Sequence, residues 1–225
     1  MKKLLFLSFL AMSAISLAQE KKPTEKGKLS IYFGGGFVSS SRFAIDDKLA
    51  ASALPQIQAN VPEFVFGVNH FFNKGFLDME LSSNMFKKSN SATTSNGSRS
   101  NFRLRGHYNF VNNKDIVFSG GLNLAFTAND FNVYSQNNQV DVNNLAASTT
   151  SYIRLRNNMF FAGPSLGFAI KNKGEQLVRL NVGYEFALIT GKWKSDFANV
   201  SNSINENGQS RLMIGAIFFF NRHTK

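Results

Sequence analysis

The 225-residue chain has no cysteine and only four prolines, and its basic residues outnumber its acidic ones by 25 to 14. Without cysteine there is no disulfide, no thiolate metal site and no thiol for a lipid anchor. No stretch reaches the roughly 18 consecutive apolar residues that a membrane helix requires, so spanning by helices is excluded. Against that lack stand 24 phenylalanines in a chain whose mean hydropathy is slightly polar. The two facts agree only if each apolar side chain is diluted by a polar neighbour, which is the period-two pattern of a strand with two unlike faces.

Residues 1–18 read as a secretory leader. Lys2 and Lys3 open it, Leu4 to Leu17 is apolar, and Ser16-Leu17-Ala18 is a small-x-small cleavage site. About 207 residues then remain, enough for one domain. The formal charge of +11 falls to +9 once Lys2 and Lys3 leave. Nucleic-acid binding wants such an excess on one face. Here it is scattered through turns and loops, so with a leader in front no nucleic-acid partner is expected.

The clearest two-faced stretch is Gln176 to Leu188. Val178, Leu180, Val182, Tyr184, Phe186 and Leu188 alternate with Leu177, Arg179, Asn181, Gly183, Glu185 and Ala187. Seven further stretches repeat the pattern: Leu29 to Val38, Glu63 to Phe72, Phe76 to Phe86, Asn101 to Val111, Asp115 to Thr127, Asn158 to Ile170 and Gln209 to Asn221. Residues 19–28 form a polar lead-in and 222–225 a tail. Gly34-Gly35-Gly36 fits sharp sheet curvature, and a bulge is expected at Pro164 because proline removes a ladder donor. A short helix is expected over Lys48 to Leu54. Three connections are short, near residues 74, 113 and 173, and they alternate with long polar ones of about 13 to 30 residues, such as Lys87 to Ser100 and 128–157. Strands of about ten residues with short turns at one rim and long loops at the other describe a closed, all-β, antiparallel, eight-stranded up-and-down transmembrane barrel over 29–221.

Facing inward in that barrel are Glu63, Asp78, Glu80, Arg103, Arg105, His107, Arg179, Glu185 and Arg211. The lumenal charge cluster is expected from Asp78, Glu80, Arg103, Arg105, Arg179 and Glu185, with Glu80, Arg105 and Arg179 at one depth. An eight-stranded interior is just wide enough for side chains to fill it. The charges therefore form either a plug of paired groups or the constriction of a narrow small-solute pore. Phe131, Tyr134 and Trp193 are candidate loop contacts for a partner, and Trp193 is alternatively part of an aromatic girdle. Outward phenylalanines near both rims fit such girdles.

This layout resembles the small eight-stranded outer-membrane proteins of Gram-negative bacteria, the OmpA/OmpX/OmpW-like group, over roughly residues 29–221. Phe218-Phe219-Phe220 is similar to the aromatic end of their last strand, with Asn221 to Lys225 following it. The resemblance implies outer-membrane localisation, lipopolysaccharide and phospholipid around the wall, and contact with periplasmic chaperones and the barrel-insertion machinery. It also implies a monomer without cofactor or metal and a structural or adhesive role through the loops. Some barrels of this kind modify lipid A and would need a Ser/His pair. His70 faces outward and Ser82, Ser83 and Ser119 give it no defined partner, so no catalytic residue is expected.

Overall fold

The computed structural model describes residues 28–72, 74–139, 142–143, 148, 151–201 and 203–220. The expected leader, all but the last residue of the lead-in, and the tail lie outside them. Eight strands follow in order: β1 (Lys28–Ser40), β2 (Asn60–Phe72), β3 (Gly75–Ser89), β4 (Thr93–Asn112), β5 (Ile116–Ser135), β6 (Tyr152–Asn172), β7 (Glu175–Thr190) and β8 (Ser210–Phe220). One helix, α1 (Ile45–Ala51), lies between β1 and β2. Each strand pairs antiparallel with its neighbour in sequence and β8 pairs back with β1, so the sheet closes. Closure leaves no long strand edge open to lipid, which a spanning sheet requires.

The two faces of the wall are opposite in character. Leu29, Ile31, Phe33, Phe64, Phe66, Leu122, Leu166, Leu180 and Ile214 are exposed, while Glu80, Arg103, Arg179 and Glu185 are buried. A protein folded in water does the reverse, and an exposed apolar surface this continuous marks contact with a nonpolar partner. On β6 the apolar outward residues run from Ile170 to Phe160. At about 3.3 Å per residue and a tilt near 40°, that band is about 25 Å high, the height of a bacterial outer-membrane hydrocarbon band.

Local geometry explains the closure. A Cβ on Gly34 would lie 2.1 Å from the Ala216 carbonyl oxygen, and one on Gly36 would lie 2.2 Å from that of Ile214. β1 and β8 thus approach more closely than any side chain permits. The turn between β6 and β7 places Lys173 and Gly174 at φ +52° and +83°, the primed geometry that matches strand twist. Between β4 and β5, the Asn113 carboxamide oxygen accepts from Asp115 N–H (3.0 Å) and Ile116 N–H (2.8 Å) and closes the turn.

Several expectations need correction. The stretch Lys87 to Ser100 is not a long loop: β3 continues to Ser89, β4 starts at Thr93, and Ser89 pairs with Thr94. Likewise β5 continues to Ser135, where a loop was expected. It pairs with β6 from Tyr152, the alternating run Tyr152 to Arg156 extending that strand beyond the bilayer as its pattern predicts. Pairing hydrogen bonds carry these polar strands beyond the bilayer, where no apolar face is needed. Pro164 causes no bulge. It keeps its partner Leu122 on β5, and the β6–β7 ladder lapses over Gly163 and Pro164 without a change of register. The β6–β7 irregularities fall instead at Phe160/Phe161 and Ile170/Lys171. The helix begins three residues earlier than expected. Its connection is not a solvated loop, because Phe43, Ile45, Leu49 and Ile57 are buried in the mouth of the barrel.

Candidate functional site

The lumen is filled in three layers. At the short-turn end Tyr32, Ile217 and Phe219 are buried against Val65 and Phe71, and the Tyr32 and Phe219 rings meet edge to face at 5.7 Å. The apolar inner face of β8 makes much of this layer. At the long-loop end Val38, Phe43, Leu49, Phe86, Phe131, Met159, Phe161 and Trp193 form an apolar cap. Between them lies the charged band.

That band holds four carboxylates, Glu63, Asp78, Glu80 and Glu185, and four guanidiniums, Arg103, Arg105, Arg179 and Arg211, all buried. Its formal charge is zero. Arg103 is the hub: its Nε donates to Glu185 Oε1 at 3.2 Å, Nη1 to Glu80, and Nη2 lies 3.5 Å from Glu63 Oε1. Arg105 Nη1 bridges Asp78 (3.0 Å) and Glu80 (3.4 Å). Arg211 Nε donates to the second Glu185 oxygen at 2.7 Å. Arg179 donates to Asp78 rather than to Glu80, the acidic residue expected at its depth. The guanidinium carbons of Arg179 and Arg211 sit 4.0 Å over the Phe76 ring and 4.1 Å over the Phe161 ring, joining the band to the layers below and above. A cavity of about 30 Å³, room for about two waters, remains beside Gly36, Glu80, Arg103 and Asn123.

His107 is drawn into a contact that sequence spacing does not foretell. Its Nδ1 lies 3.0 Å from the Ser119 hydroxyl and its Nε2 lies 2.6 Å from that of Ser165, which donates on to Asn123. Both ring nitrogens are thereby occupied by hydroxyls inside the sealed lumen. A nucleophilic serine must also be within reach of substrate, and Ser119, Ser165 and His107 are all buried.

No family model and no curated protein matches the sequence. Among solved structures, the chain is similar to the attachment invasion locus protein Ail of Yersinia pestis, at 10% identity and a TM-score of 0.48, covering 87% of this chain and 99% of that one. Neisserial surface protein A follows, at 11% identity, a TM-score of 0.44, and coverage of 87% and 100%. The outer membrane protein OprG of Pseudomonas aeruginosa matches at 12% identity, a TM-score of 0.31, and coverage of 87% and 97%. This chain's own closed topology and inverted faces carry the assignment. It is a closed, eight-stranded, transmembrane-type β-barrel.

Two of the three loop candidates are buried and are not loop contacts. Phe131 is 1% exposed and points into the cap from β5. Trp193 is 2% exposed, so it is neither an anchor nor a girdle residue. Its indole N–H donates to Glu206 Oε1 at 2.7 Å and its ring meets Phe43 edge to face. Tyr134 is half-buried on β5, paired with Thr94 and Tyr152. Sequence reasoning also missed Glu206 and Asp46, which fasten the cap. The Glu206 carboxylate accepts from Ala44 N–H (2.5 Å) and Ile45 N–H (3.1 Å) at the start of α1. Asp46 accepts from Phe43 N–H (3.2 Å) and Ile57 N–H (2.8 Å). Burial pushes the Asp46 carboxyl above its ordinary range, and those two N–H groups only partly offset it. The available signal was the apolar set Phe43, Ile45, Leu49 and Ile57 inside an otherwise polar connection.

What remains accessible is the outside of the protruding wall. β5 continues nine residues past Phe126 and β6 begins eight residues before Phe160, which lifts the sheet roughly 20 Å above the apolar band. Its outward face carries Asn96, Ser98, Asp130, Asn132, Arg154 and Arg156 in register. Asp130 binds Arg154 through two nitrogens, with Nε at 3.0 Å and Nη2 at 2.5 Å, and binds Arg156 Nε at 3.0 Å. Burial alone would raise the Asp130 carboxyl, but these guanidiniums outweigh it and hold it below its ordinary range.

Proposed function

We propose that the chain is a non-enzymatic, monomeric outer-membrane protein of a Gram-negative bacterium, exported by a cleaved leader, that works at the cell surface through its protruding wall and cap. One observation carries this reading. The lumen is filled by paired charges between two apolar layers, while β4, β5 and β6 continue far beyond the band that lipid covers. The presence of surface and attachment proteins among the chains of similar fold accords with it.

The absence of cysteine makes the test clean, since an introduced thiol is unique. On intact cells, Asn132→Cys should react with a membrane-impermeant maleimide and Asp115→Cys, on the short-turn rim, should not. Equal labelling of both, or the reverse order, would overturn the orientation. The reading also requires silence in planar bilayers. Regular conductance steps altered by Glu80→Ala or Arg105→Ala would support the small-solute pore instead. Lipid A mass spectra that differ between deletion and overexpression strains would restore an enzyme.

A further inference from the structure

Two separate chain segments bring four cations to one place on the outer wall. Arg154 and Arg156 come from β6; Lys192 and Lys194 come from the connection after β7. A two-way bridge pins them together, with Arg156 N–H donating to the Lys194 carbonyl at 2.7 Å and Lys194 N–H to the Arg156 carbonyl at 2.9 Å. Residues directly opposite in such a pair point to the same side. Trp193, between the two lysines, is buried in the cap, so Lys192 and Lys194 are turned outward and are exposed. Two carboxylates share the patch. Asp130 orients both guanidiniums, and Asp196 Oδ2 lies 2.7 Å from Arg156 Nη1. Among the described residues Lys192 and Lys194 have no ion pair, which leaves a formal charge of +2 on a short outward strip.

The height of the strip matters as much as its charge. Phe160 and Ile189 are register partners at the top of the apolar band. Arg156 stands four residues higher on β6, about 10 Å along the membrane normal. Asp130, the register partner of Arg156, draws the Arg154 guanidinium down from two residues higher, and long cationic side chains beside an apolar boundary keep their charged ends in the polar layer above it.

Resting on the barrel reading, we propose that Arg154, Arg156, Lys192 and Lys194 form a binding site for the phosphate of a phosphorylated glycolipid in the outer leaflet. Phe160 and Ile189 would lie against its acyl chains. Guanidiniums held in place by Asp130 offer their remaining N–H groups to phosphate oxygens in fork geometry, and the lysines add point charges. The patch is one-sided along the wall, so it anchors a specific lipid and does more than keep the surface hydrated.

The probe is bisphosphorylated lipid A, titrated into the refolded barrel in neutral detergent micelles and read by native mass spectrometry. Fully dephosphorylated lipid A of the same acylation serves as the comparison. Wild type should bind the phosphorylated form at least tenfold more tightly, since each cation near a charged lipid surface contributes roughly fivefold. The double variant Lys192→Ala/Lys194→Ala should lose tenfold or more, with Lys114→Ala/Lys173→Ala on the opposite rim unchanged. Equal affinity for the two lipids, an unaffected Lys192→Ala/Lys194→Ala variant, or displacement by equimolar inorganic phosphate would each overturn the site. The lipid comparison on wild type decides even if a variant fails to fold. A chain that shows the heat-modifiable mobility of a folded barrel yet makes no phosphate distinction sinks the site and leaves the barrel standing.

Discussion

Replacing Arg103 with methionine tests whether the charged band is a structural plug. The guanidinium meets Glu80, Glu185 and Glu63, and methionine keeps much of its length while removing every donor. The three carboxylates are not stranded completely. Glu63 still accepts from the Ser82 hydroxyl at 2.8 Å and Asn101 Nδ2 at 3.0 Å, Glu80 keeps Arg105 at 3.4 Å, and Glu185 keeps Arg211 Nε at 2.7 Å. The lumen nonetheless acquires one uncompensated negative charge. Breaking a buried ion pair on one side costs about 3–5 kcal/mol, and the surviving partners place Arg103→Met near the lower end of that range. Urea titration in lipid vesicles, followed by gel mobility without boiling and by the fluorescence of the single tryptophan, measures it. Adding Glu80→Gln restores neutrality and should recover at least 1 kcal/mol, a coupling that a double-mutant cycle isolates. A single variant within 0.5 kcal/mol of wild type, or a double variant additive with the singles, would refute the plug and favour a solvated, conducting lumen.

Glu206→Ala removes the acceptor for Ala44 N–H, Ile45 N–H and the Trp193 indole, and each orphaned donor costs about 1–3 kcal/mol. Acrylamide quenching of Trp193 should rise while the barrel keeps its heat-modifiable mobility; unchanged quenching would show that the cap does not hang on this carboxylate. Gly34→Val forces a Cβ against the Ala216 carbonyl and should abolish the folded gel species, whereas Gly106→Val, where a Cβ meets nothing within 4 Å, should fold. Asp130 has a lowered folded-state pKa, so its contribution is present above the unfolded value of 3.8 and is lost as pH falls through the folded one. The pair is half in solvent and worth no more than about 1 kcal/mol. The gap in urea midpoint between wild type and Asp130→Asn should therefore hold between pH 7 and 5 and close only below 4. A gap that closes at pH 5 would show that Arg154 and Arg156 do not hold the carboxylate ionised.

Alternation made the spanning part of each strand legible, because lipid on one side and packed charge on the other impose a period of two. Val178 to Phe186 take the expected sides for that reason, whereas beside the irregularity at Ile170/Lys171 Gln176 turns inward and Leu177 outward, the reverse of what alternation predicts. The same cue ends where lipid ends. Above Phe102 both faces of β4 are polar. Above Phe126 the outward face of β5 is polar apart from Ala128 and Tyr134, with Phe131 and Val133 turned into the cap. No lipid-facing stripe therefore marks the continuation of β4 through Thr93 and of β5 to Ser135, which ladder hydrogen bonds carry. The inward residues of the charged band could be named, because parity places a side chain. Which carboxylate meets which guanidinium could not, since Arg179 reaches Asp78 across 101 positions of chain and strand stagger decides such meetings. Trp193 misled for a related reason. Five residues past Leu188 it occupies a girdle position by count, yet its segment doubles back over the mouth and faces inward.

Equal numbers of opposite charges, spread over five of the staves, bear on how this protein enters its membrane. β3 and β4 neutralise each other, since Asp78 and Glu80 pair with Arg103 and Arg105. β7 and β8 do not, because Arg179 finds its carboxylate only on β3. A hairpin of those last two staves inserted alone would carry that guanidinium bare into hydrocarbon, so they must meet β3 before the ring is handed to lipid.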